Sequence, residues 1–254
     1  MTEKQIENGF WFRDPKNNFP PEPITYPSEY QGQKNLNIAC TQILEITPVE
    51  QKKLVKAWTE FLPGCKDIEM LWFATHTTQP LFDNACKLTN LVGLNIKWSN
   101  IKTLDNLDNL KNLKYLRIGS SAQIESILPL SKLTNLEVLV LENFKKISDF
   151  SLLSSLTKLK FLTIEGGMYT KQKIESFEPI SELTDLIYFS SLMTTCNNKS
   201  IDPILKLKNL RTLNWGFDLS KEDMARLKKE LLKLKYYPHR HVQSNLEKIK
   251  SLFK

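Results

Sequence analysis

The sequence predicts an α/β solenoid, a fold in which short parallel strands stack into one sheet and a short connector returns the chain after each strand. Two observations carry this prediction: a motif of the form Leu-x-x-Leu-x-Leu recurs, and its period lies between roughly 20 and 29 residues. The copies begin at Ile68, Leu91, Leu113, Leu136, Leu159, Leu186 and Leu210, in steps of 23, 22, 23, 23, 27 and 24 residues. Because one repeat cannot bury its own leucines, stacking must supply a continuous core.

Each motif predicts one strand, because its last two apolar residues are two positions apart and point to the same face of an extended chain. The expected parallel strands are centred near Leu71, Leu94, Leu116, Leu139, Leu162, Phe189 and Leu213. Between motifs the apolar spacing changes to three, as in Ile101, Leu104 and Leu107. That spacing favours 3₁₀-like or extended connectors, whereas amphipathic α-helices would need a period of about 3.6. Helices are therefore expected mainly at the two ends.

The repeats resemble those of short leucine-rich-repeat proteins, such as the bacterial internalins and a eukaryotic regulatory subunit of protein phosphatase-1. The resemblance covers residues 65–216. It implies a leucine-rich-repeat horseshoe with a parallel concave sheet, short 3₁₀ or extended convex connectors and helical caps. In that family an Asn usually follows the last strand leucine by three positions and forms a buried ladder. Here those positions hold His76, Ser99, Ser121, Phe144, Gly167 and Thr194, so the ladder is not expected.

Residues 1–34 are predicted to form a Pro/aromatic-rich N-terminal arm ahead of the repeats. The segment contains Pro15, Pro20, Pro21, Pro23 and Pro27, with Phe10, Trp11, Phe12, Phe19, Tyr26 and Tyr30. Proline favours extended backbone, and one interpretation is a free Pro-rich ligand for partner domains. No Pro-x-x-Pro stands apart from the aromatic residues. We therefore favour an extended arm whose aromatic side chains pack on the first repeat.

Residues 35–64 are predicted to form an N-terminal strand-helix cap. Leu36-x-Ile38 indicates an extra strand, and Thr47-Pro48-Val49-Glu50 combines an N-cap, an early proline and a capping-box glutamate. The helix is expected to run to about Leu62 and to end at Pro63-Gly64. Its apolar face consists of Leu54, Ala57, Trp58 and Phe61.

Two repeats carry extra residues, Gly166 to Lys173 after the fifth strand and Thr194 to Ser200 after the sixth. Both follow a strand directly, so both are expected to protrude from the same edge of the horseshoe. Insertions on one edge often flank a binding face, but they are also where a solenoid tolerates neutral variation. The sequence leaves both interpretations open.

Residues 217–254 are predicted to form a helical, basic C-terminal cap. Ser220-Lys221-Glu222-Asp223 resembles a capping box and predicts a helix to about Lys235. Its apolar face holds Met224, Leu227, Leu231 and Leu234. Pro238 then interrupts the chain, and Ser244-Asn245-Leu246-Glu247 predicts another short helix.

The composition favours a folded cytoplasmic protein. Hydrophobic residues make up 41% of the chain, and the net charge is +7. No run of about 18 apolar residues is present, and the first residues lack the apolar core of a secretion signal. Cys40, Cys65, Cys86 and Cys196 form no Cys-x-x-Cys pair. We therefore expect reduced cysteines in the cytoplasm.

No motif in the chain indicates catalysis, a cofactor or a metal. Gly-rich phosphate loops, Gly-x-Ser-x-Gly and His-Glu-x-x-His are all missing from the sequence. Cys65-Lys66-Asp67 resembles the Cys-x-Asp of a bacterial ubiquitin-ligase family with leucine-rich repeats, but Cys65 falls at a core position. His239-Arg240-His241 offers too few ligands for a closed metal site, and a surface turn is the better interpretation.

The sequence therefore predicts a non-enzymatic, monomeric protein that binds a partner protein of unknown identity on its concave face. Residues flanking the second strand leucine should face solvent there, and Tyr, Trp and Arg are common in interface hot spots. The predicted partner-binding residues are Trp72, Asn95, Lys97, Trp98, Tyr115, Arg117, Val138, Val140, Phe161, Tyr188, Leu192 and Phe217. Alternatively, the N-terminal arm or the insertions cover this row, since aromatic patches are often buried wherever cover exists.

A second function remains open, namely binding of nucleic acid or anionic membrane through the basic C-terminal part. Its electrostatic footprint consists of Arg226, Lys228, Lys229, Lys233 and Lys235. Basic residues are sparse among the concave positions, so nucleic acid is the less favoured partner.

Overall fold

The computed structural model describes Thr2, Gln5, Ile6 and residues 9–235. The strands of this part are β1 (Asn35–Ile38), β2 (Met70–Thr77), β3 (Gly93–Ser99), β4 (Tyr115–Ile118), β5 (Val138–Glu142), β6 (Phe161–Glu165), β7 (Gln172–Lys173), β8 (Tyr188–Ser191), β9 (Thr194–Thr195) and β10 (Thr212–Trp215). Eight of them form one parallel sheet in the order β1-β2-β3-β4-β5-β6-β8-β10, and β7 pairs with β9. The predicted parallel sheet of the repeats is confirmed.

The register of the sheet follows the repeat motif. The second leucine of each motif pairs with the same position of the next copy, so that Leu116 lies beside Leu139 and Leu139 beside Leu162. These leucines are fully buried and belong to one core that runs the length of the solenoid. The sheet face opposite this core carries the residues that flank the second leucine, and we refer to it as the concave face.

The connectors are largely the predicted 3₁₀ turns. They occupy Asp105–Asn109, Leu128–Lys132, Ser151–Ser155 and Glu178–Glu182, each with an inward-facing apolar residue. Two connectors differ, because α2 (Gln79–Ala85) and α3 (Asp202–Leu205) are short α-helices. Each has a proline in its first turn. Proline is tolerated there because N–H groups of the first turn make no intrahelical hydrogen bond, so none is lost. These two helices have 7 and 4 residues, against 14 and 10 in the cap helices, so the expectation that helices lie mainly in the caps is confirmed.

The N-terminal cap consists of β1, which pairs with β2, and α1 (Pro48–Phe61). Thr47 Oγ1 accepts from the Glu50 amide at 3.3 Å, and Glu50 Oε2 accepts from the Thr47 amide at 2.9 Å, so the predicted capping box is confirmed. Leu54 and Trp58 are buried, but Ala57 and Phe61 are exposed. The predicted apolar face is wrong at those two positions. The buried residues Leu54, Trp58 and Leu62 are each four positions apart, whereas the prediction assumed spacings of both three and four.

The C-terminal cap is α4 (Lys221–Glu230), in which Ser220 Oγ accepts from the Asp223 amide at 2.9 Å. The helix ends five residues before the predicted Lys235. The chain turns there, and the Lys235 amide donates to the Arg211 carbonyl at 2.8 Å, which keeps Leu231 and Leu234 against the last repeat. The predicted break at Pro238, the His239-Arg240-His241 turn and the helix from Ser244 lie outside the described residues. No helix in the described part has the length and apolar character of a membrane span.

Neighbouring repeats are also joined by an asparagine ladder that was not predicted from the sequence. In each case the side-chain Nδ2 donates to a backbone carbonyl of the preceding repeat. The pairs are Asn90 to Lys66 (2.9 Å), Asn112 to Thr89 (3.1 Å), Asn135 to Lys111 (3.0 Å) and Asn209 to Thr184 (3.1 Å). An Asn-Leu pair at the start of these motifs was the available signal. The ladder precedes the strand, whereas the family's usual ladder follows it.

Candidate functional site

The N-terminal arm lies across the concave face instead of extending into solvent. Phe10 is only 1% exposed, and its carbonyl accepts a hydrogen bond from Trp72 Nε1 at 3.0 Å. The Phe19 ring meets Trp72 edge-on at 5.1 Å between centroids, and Phe10 lies 6.3 Å from Tyr115. The expectation that arm aromatics pack on the repeats is confirmed, although they reach beyond the first repeat to β4.

A second, smaller core therefore forms on the concave side, between the arm and the sheet. It contains Phe10, Met70, Trp72, Tyr115, Val138, Val140 and Phe161. The expectation that the predicted binding row faces solvent is wrong for Trp72, Asn95, Tyr115, Val138, Val140 and Phe161, all of which are buried. The physical reason is that an exposed apolar row of this size is costly, and the same chain supplies aromatic side chains to cover it. The alternative that the arm covers the row is confirmed.

The arm turns at Gly9 to bring its next two rings onto the sheet. Gly9 has φ +82°, and a Cβ at this position would lie 2.9 Å from atoms of Trp11 and Phe12. The Phe12 amide donates to the Gly9 carbonyl at 2.9 Å and closes the turn. As a result, Trp11 lies over the Arg117 guanidinium at 5.2 Å, while Phe12 remains 65% exposed.

Arg117 is the polar centre of the concave face. Its Nη1 donates to Asn95 Oδ1 at 3.2 Å, and its Nη2 donates to Glu142 Oε2 at 3.1 Å. Burial lowers the pKa of Arg117, and the neighbouring carboxylate of Glu142 opposes that shift. A guanidinium keeps its charge in proteins, so this site holds a half-buried cation between an amide, a carboxylate and the Trp11 ring.

Glu165 stands one repeat after Glu142 on the neighbouring strand, and the two are register partners. Its carboxylate accepts from the Ser190 hydroxyl and from the Leu192 amide. Burial raises the pKa of Glu165, and the nearby charge of Glu142 raises it further. The predicted partner-binding residues do not include these glutamates, although their equal position in successive repeats is a signal in the sequence.

Because its pKa is raised, Glu165 should make the stability of the wild type depend on pH in a way that Glu165→Gln does not. The folded protein binds a proton at this carboxyl more tightly than the unfolded chain, so stability is lost as the pH rises from about 4.3, the ordinary glutamate pKa, through the higher folded pKa. Glu165→Gln keeps an acceptor for Ser190 and removes the charge. We expect the variant to melt above the wild type at about pH 7, with the difference shrinking toward about pH 4. Thermal unfolding of both proteins across this range checks the prediction, and a pH-independent difference would contradict it.

A cavity of about 320 Å³ opens between the arm and the concave face beside these charges. Its lining consists of Ile6, Gly9, Trp11, Phe12, Arg117, Val140, Glu142, Phe161, Thr163, Glu165 and Tyr188. A larger cavity of about 580 Å³ lies at the opposite edge of the strands and includes Ile6, Tyr115, Glu137, Lys160 and Ile187. The arm thus divides the remaining concave space into two openings.

Tyr188 marks the boundary between the covered and the open part of the concave face. Its ring stacks on Phe161 at 4.2 Å between centroids with an interplanar angle of 5°. Asn214 Nδ2 donates to the Tyr188 hydroxyl at 2.8 Å, which links β8 to β10. Tyr188, Thr212 and Asn214 are half-buried. The concave face is therefore partly exposed at β8 and β10, although Ser190 of β8 is buried.

The two insertions lie side by side at the edge of the sheet, as predicted. The Gly166 amide donates to the Leu192 carbonyl at 3.2 Å, and the Gln172 amide donates to the Met193 carbonyl at 2.9 Å. Leu192 and Met193 are 42% and 44% exposed, and Tyr169 is almost fully exposed. Of the predicted binding residues, Lys97, Trp98 and Leu192 are exposed, whereas Arg117, Tyr188 and Phe217 are half-buried.

The basic C-terminal residues are partly engaged with neighbours. Arg226 Nη2 contacts Asp202 Oδ1 at 2.5 Å, and Arg226 Nη1 lies 3.7 Å from Asp223 Oδ1. Lys233 Nζ donates to Asn209 Oδ1 at 2.6 Å. Lys228, Lys229 and Lys235 are exposed. These contacts disfavour a preformed anion-binding footprint on α4.

The cysteines are free thiols in buried positions. Burial raises the pKa of Cys40 to about 12, and it also raises the pKa of Cys65. Since the thiolate is the reactive form, Cys65 lacks the environment of a nucleophile. Its predicted place in the core is confirmed.

Two of the comparisons with solved structures support the repeat assignment. No protein-family model and no curated protein matches this chain. Internalin C2 of Listeria monocytogenes has a similar structure, with a TM-score of 0.55 and 25% identity over 70% of this chain and 72% of that one. A leucine-rich-repeat protein of Leptospira interrogans gives a TM-score of 0.52 and 19% identity, over 70% of this chain and 44% of that one. Internalin F of L. monocytogenes gives 0.48 and 20% identity, over 69% and 62%.

Proposed function

We propose that this leucine-rich-repeat solenoid, with its short internalin-like repeats, is a non-catalytic module that binds a partner protein at the open end of its concave face. We define the open concave surface by Tyr188, Leu192, Met193, Thr212 and Asn214. One observation carries the proposal: the arm covers the face over β2 to β6 but leaves side chains of β8 and β10 partly exposed. Similarity to leucine-rich-repeat structures supports an interaction scaffold in general.

The chemistry of the open concave surface fits a protein partner. A stacked tyrosine, an amide and exposed apolar side chains lie next to one another across β8, β10 and the insertion edge. Interfaces commonly combine an aromatic anchor, a few hydrogen-bonding groups and an apolar rim that excludes water. The insertions are then part of the binding edge rather than sites of neutral variation.

We also propose a reducing, cytoplasmic location for the protein. The four cysteines of the chain are free and buried, and none is paired in a disulfide. Disulfides form and persist mainly in oxidising compartments. Fractionation of the cell of origin, followed by detection of the native protein, tests this location, and recovery outside the cell would reject it.

Tyr188→Ala should weaken capture of the partner. The side chain is an aromatic anchor at the boundary where the open concave surface begins, and hot-spot truncations of this type cost about 2 kcal/mol, or roughly thirtyfold in Kd. The wild type is used as bait in the cell of origin, and captured proteins are identified by mass spectrometry. Binding of the purified partner is then measured for the wild type, Tyr188→Ala and Tyr26→Ala.

Tyr26→Ala is the matched control, because Tyr26 is an exposed tyrosine of the arm outside the proposed surface. It should change Kd less than about twofold. A combined Lys228→Gln, Lys229→Gln and Lys233→Gln variant tests the electrostatic alternative. If this variant abolishes binding while Tyr188→Ala retains it, the open concave surface is not the binding site.

A further inference from the structure

We propose that the cavity between the arm and strands β5, β6 and β8 receives an arginine side chain of the partner protein. This inference rests on the proposed function and names the partner chemistry that the site selects. The cavity opens beside Tyr188, so a segment lying on the open concave surface is able to place one side chain under the arm. Its volume of about 320 Å³ is within the range of specific ligand sites, roughly 300–1,000 Å³.

The charges of the cavity favour a cation. Its lining contains two carboxylates, Glu142 and Glu165, and one guanidinium, Arg117. Arg117 pairs with Glu142 at 3.1 Å. Within the described part of the chain, Glu165 has hydrogen-bond donors in Ser190 and the Leu192 amide but no ion pair. One negative charge of the cavity is therefore left for an incoming cation.

Because Glu165 is half-buried, its negative charge favours an incoming cation more strongly than a carboxylate in water would. A carboxylate removed from water without a counter-ion is costly, and a charged hydrogen bond offsets this cost. In the protein alone, burial and Glu142 raise the pKa of Glu165, while its hydrogen bonds to Ser190 and the Leu192 amide and the charge of Arg117 only partly oppose this shift. A guanidinium bound at Glu165 would offset the cost of holding this carboxylate charged in a buried place beside Glu142.

The walls of the cavity favour arginine over lysine. Trp11, Phe161 and Tyr188 line it, with the last two rings stacked. A planar guanidinium stacks on aromatic rings while its edge donates two parallel hydrogen bonds to a carboxylate, whereas an ammonium meets a ring only as a point charge and cannot make the bidentate contact. Arg117 shows a related arrangement in the same cavity: Trp11 lies against its face, Nη2 donates one hydrogen bond to Glu142, and Nη1 donates to Asn95.

The test uses the full chain labelled with ¹⁵N and the neutral-ended probe N-acetyl-arginine methylamide. The indole signal of Trp11 and the amide signal of Ser190 report on occupancy of the cavity. We expect saturable binding with a Kd in the range of about 1–10 mM. N-acetyl-citrulline methylamide, which has the same shape without the charge, should bind about tenfold or more weakly.

Two variants assign the binding to the cavity. Glu165→Gln, which keeps an acceptor for Ser190, should raise the Kd of the arginine probe about tenfold. Glu137→Gln is the matched control, because Glu137 lines the other cavity and pairs with Lys160 at 2.9 Å; it should change Kd less than about twofold. An overlay of the spectra in the absence of probe establishes that both variants are folded.

The inference is overturned by any of three results: no saturable binding at about 50 mM probe, equal affinity for arginine and citrulline, or an unchanged Kd in Glu165→Gln. If one of these occurs while Tyr188→Ala still weakens partner binding, the proposed function stands and the arginine assignment is wrong. If the probe binds as expected but Tyr188→Ala has no effect on the partner, the proposed binding surface is wrong. The two failures are thus distinguishable.

Discussion

Leu139→Ala is expected to lower the free energy of unfolding by about 2–5 kcal/mol. Leu139 is 0% exposed and lies between Leu116 and Leu162 in the middle of the sheet. Its removal takes packing contacts from both neighbouring repeats. The backbone is held at each side by the parallel ladder, so the repeats cannot close the cavity without shifting the register of the stack. The cost should therefore exceed the transfer free energy of the lost methyl groups.

Asp108→Ala supplies the comparison, because Asp108 lies in a surface 3₁₀ connector and is half-buried. This change should cost less than about 0.5 kcal/mol. Equilibrium denaturation of the wild type and both variants measures the difference. Equal destabilisation by the two substitutions would mean that stacking of the motif leucines is not the main source of stability in the central repeats.

Phe10→Ala is expected to release the arm from the concave face. Truncation of a buried phenylalanine costs about 3–5 kcal/mol, and Phe10 is only 1% exposed. The loss is limited to the free energy of arm docking, since the leucine core on the other side of the sheet does not contain Phe10. Hydrogen exchange at the Trp72 indole, which donates to the Phe10 carbonyl, should accelerate by about 100-fold or more.

Phe12→Ala is the matched control for the arm. Phe12 is the same residue type two positions later, but it is 65% exposed. Exchange at Trp72 should change less than about threefold in this variant. If Phe10→Ala leaves the Trp72 exchange rate at the wild-type value, the arm does not protect the concave face, and the buried row would then be available to a partner.

The repeats could be read from the sequence because their signals are local. Alternation over two residues sets the strands, and a spacing of three sets the connectors, so Leu94, Leu116 and Leu139 identify their own positions without distant information. The capping box of α1 is equally local, since Thr47 and Glu50 are three residues apart. The end of α4 was placed too late because contact with Arg211, 24 positions away from Lys235, determines where the chain turns.

The candidate site depended on contacts that no local pattern encodes. Phe10 and Trp72 are 62 positions apart, and many aromatic residues of the repeats were equally available to the arm. The insertions show the same limit. Their position at one edge could be predicted, because each directly follows a strand. The pairing of β7 with β9 could not, because it depends on contact between two segments distant in sequence.

The sequence by itself therefore determined the repeat, its phase, the parallel sheet and the nature of the caps, because the hydrophobic period directly specifies which side chains share a face. Only the tertiary structure decided which part of the concave face is open. The same aromatic residues serve either as a binding row or as a second core, and the outcome depends on whether another segment of the chain covers them. Here the arm covers β2 to β6, so Tyr188 on β8, rather than Tyr115 or Val138, lies at the start of the exposed part of the concave face.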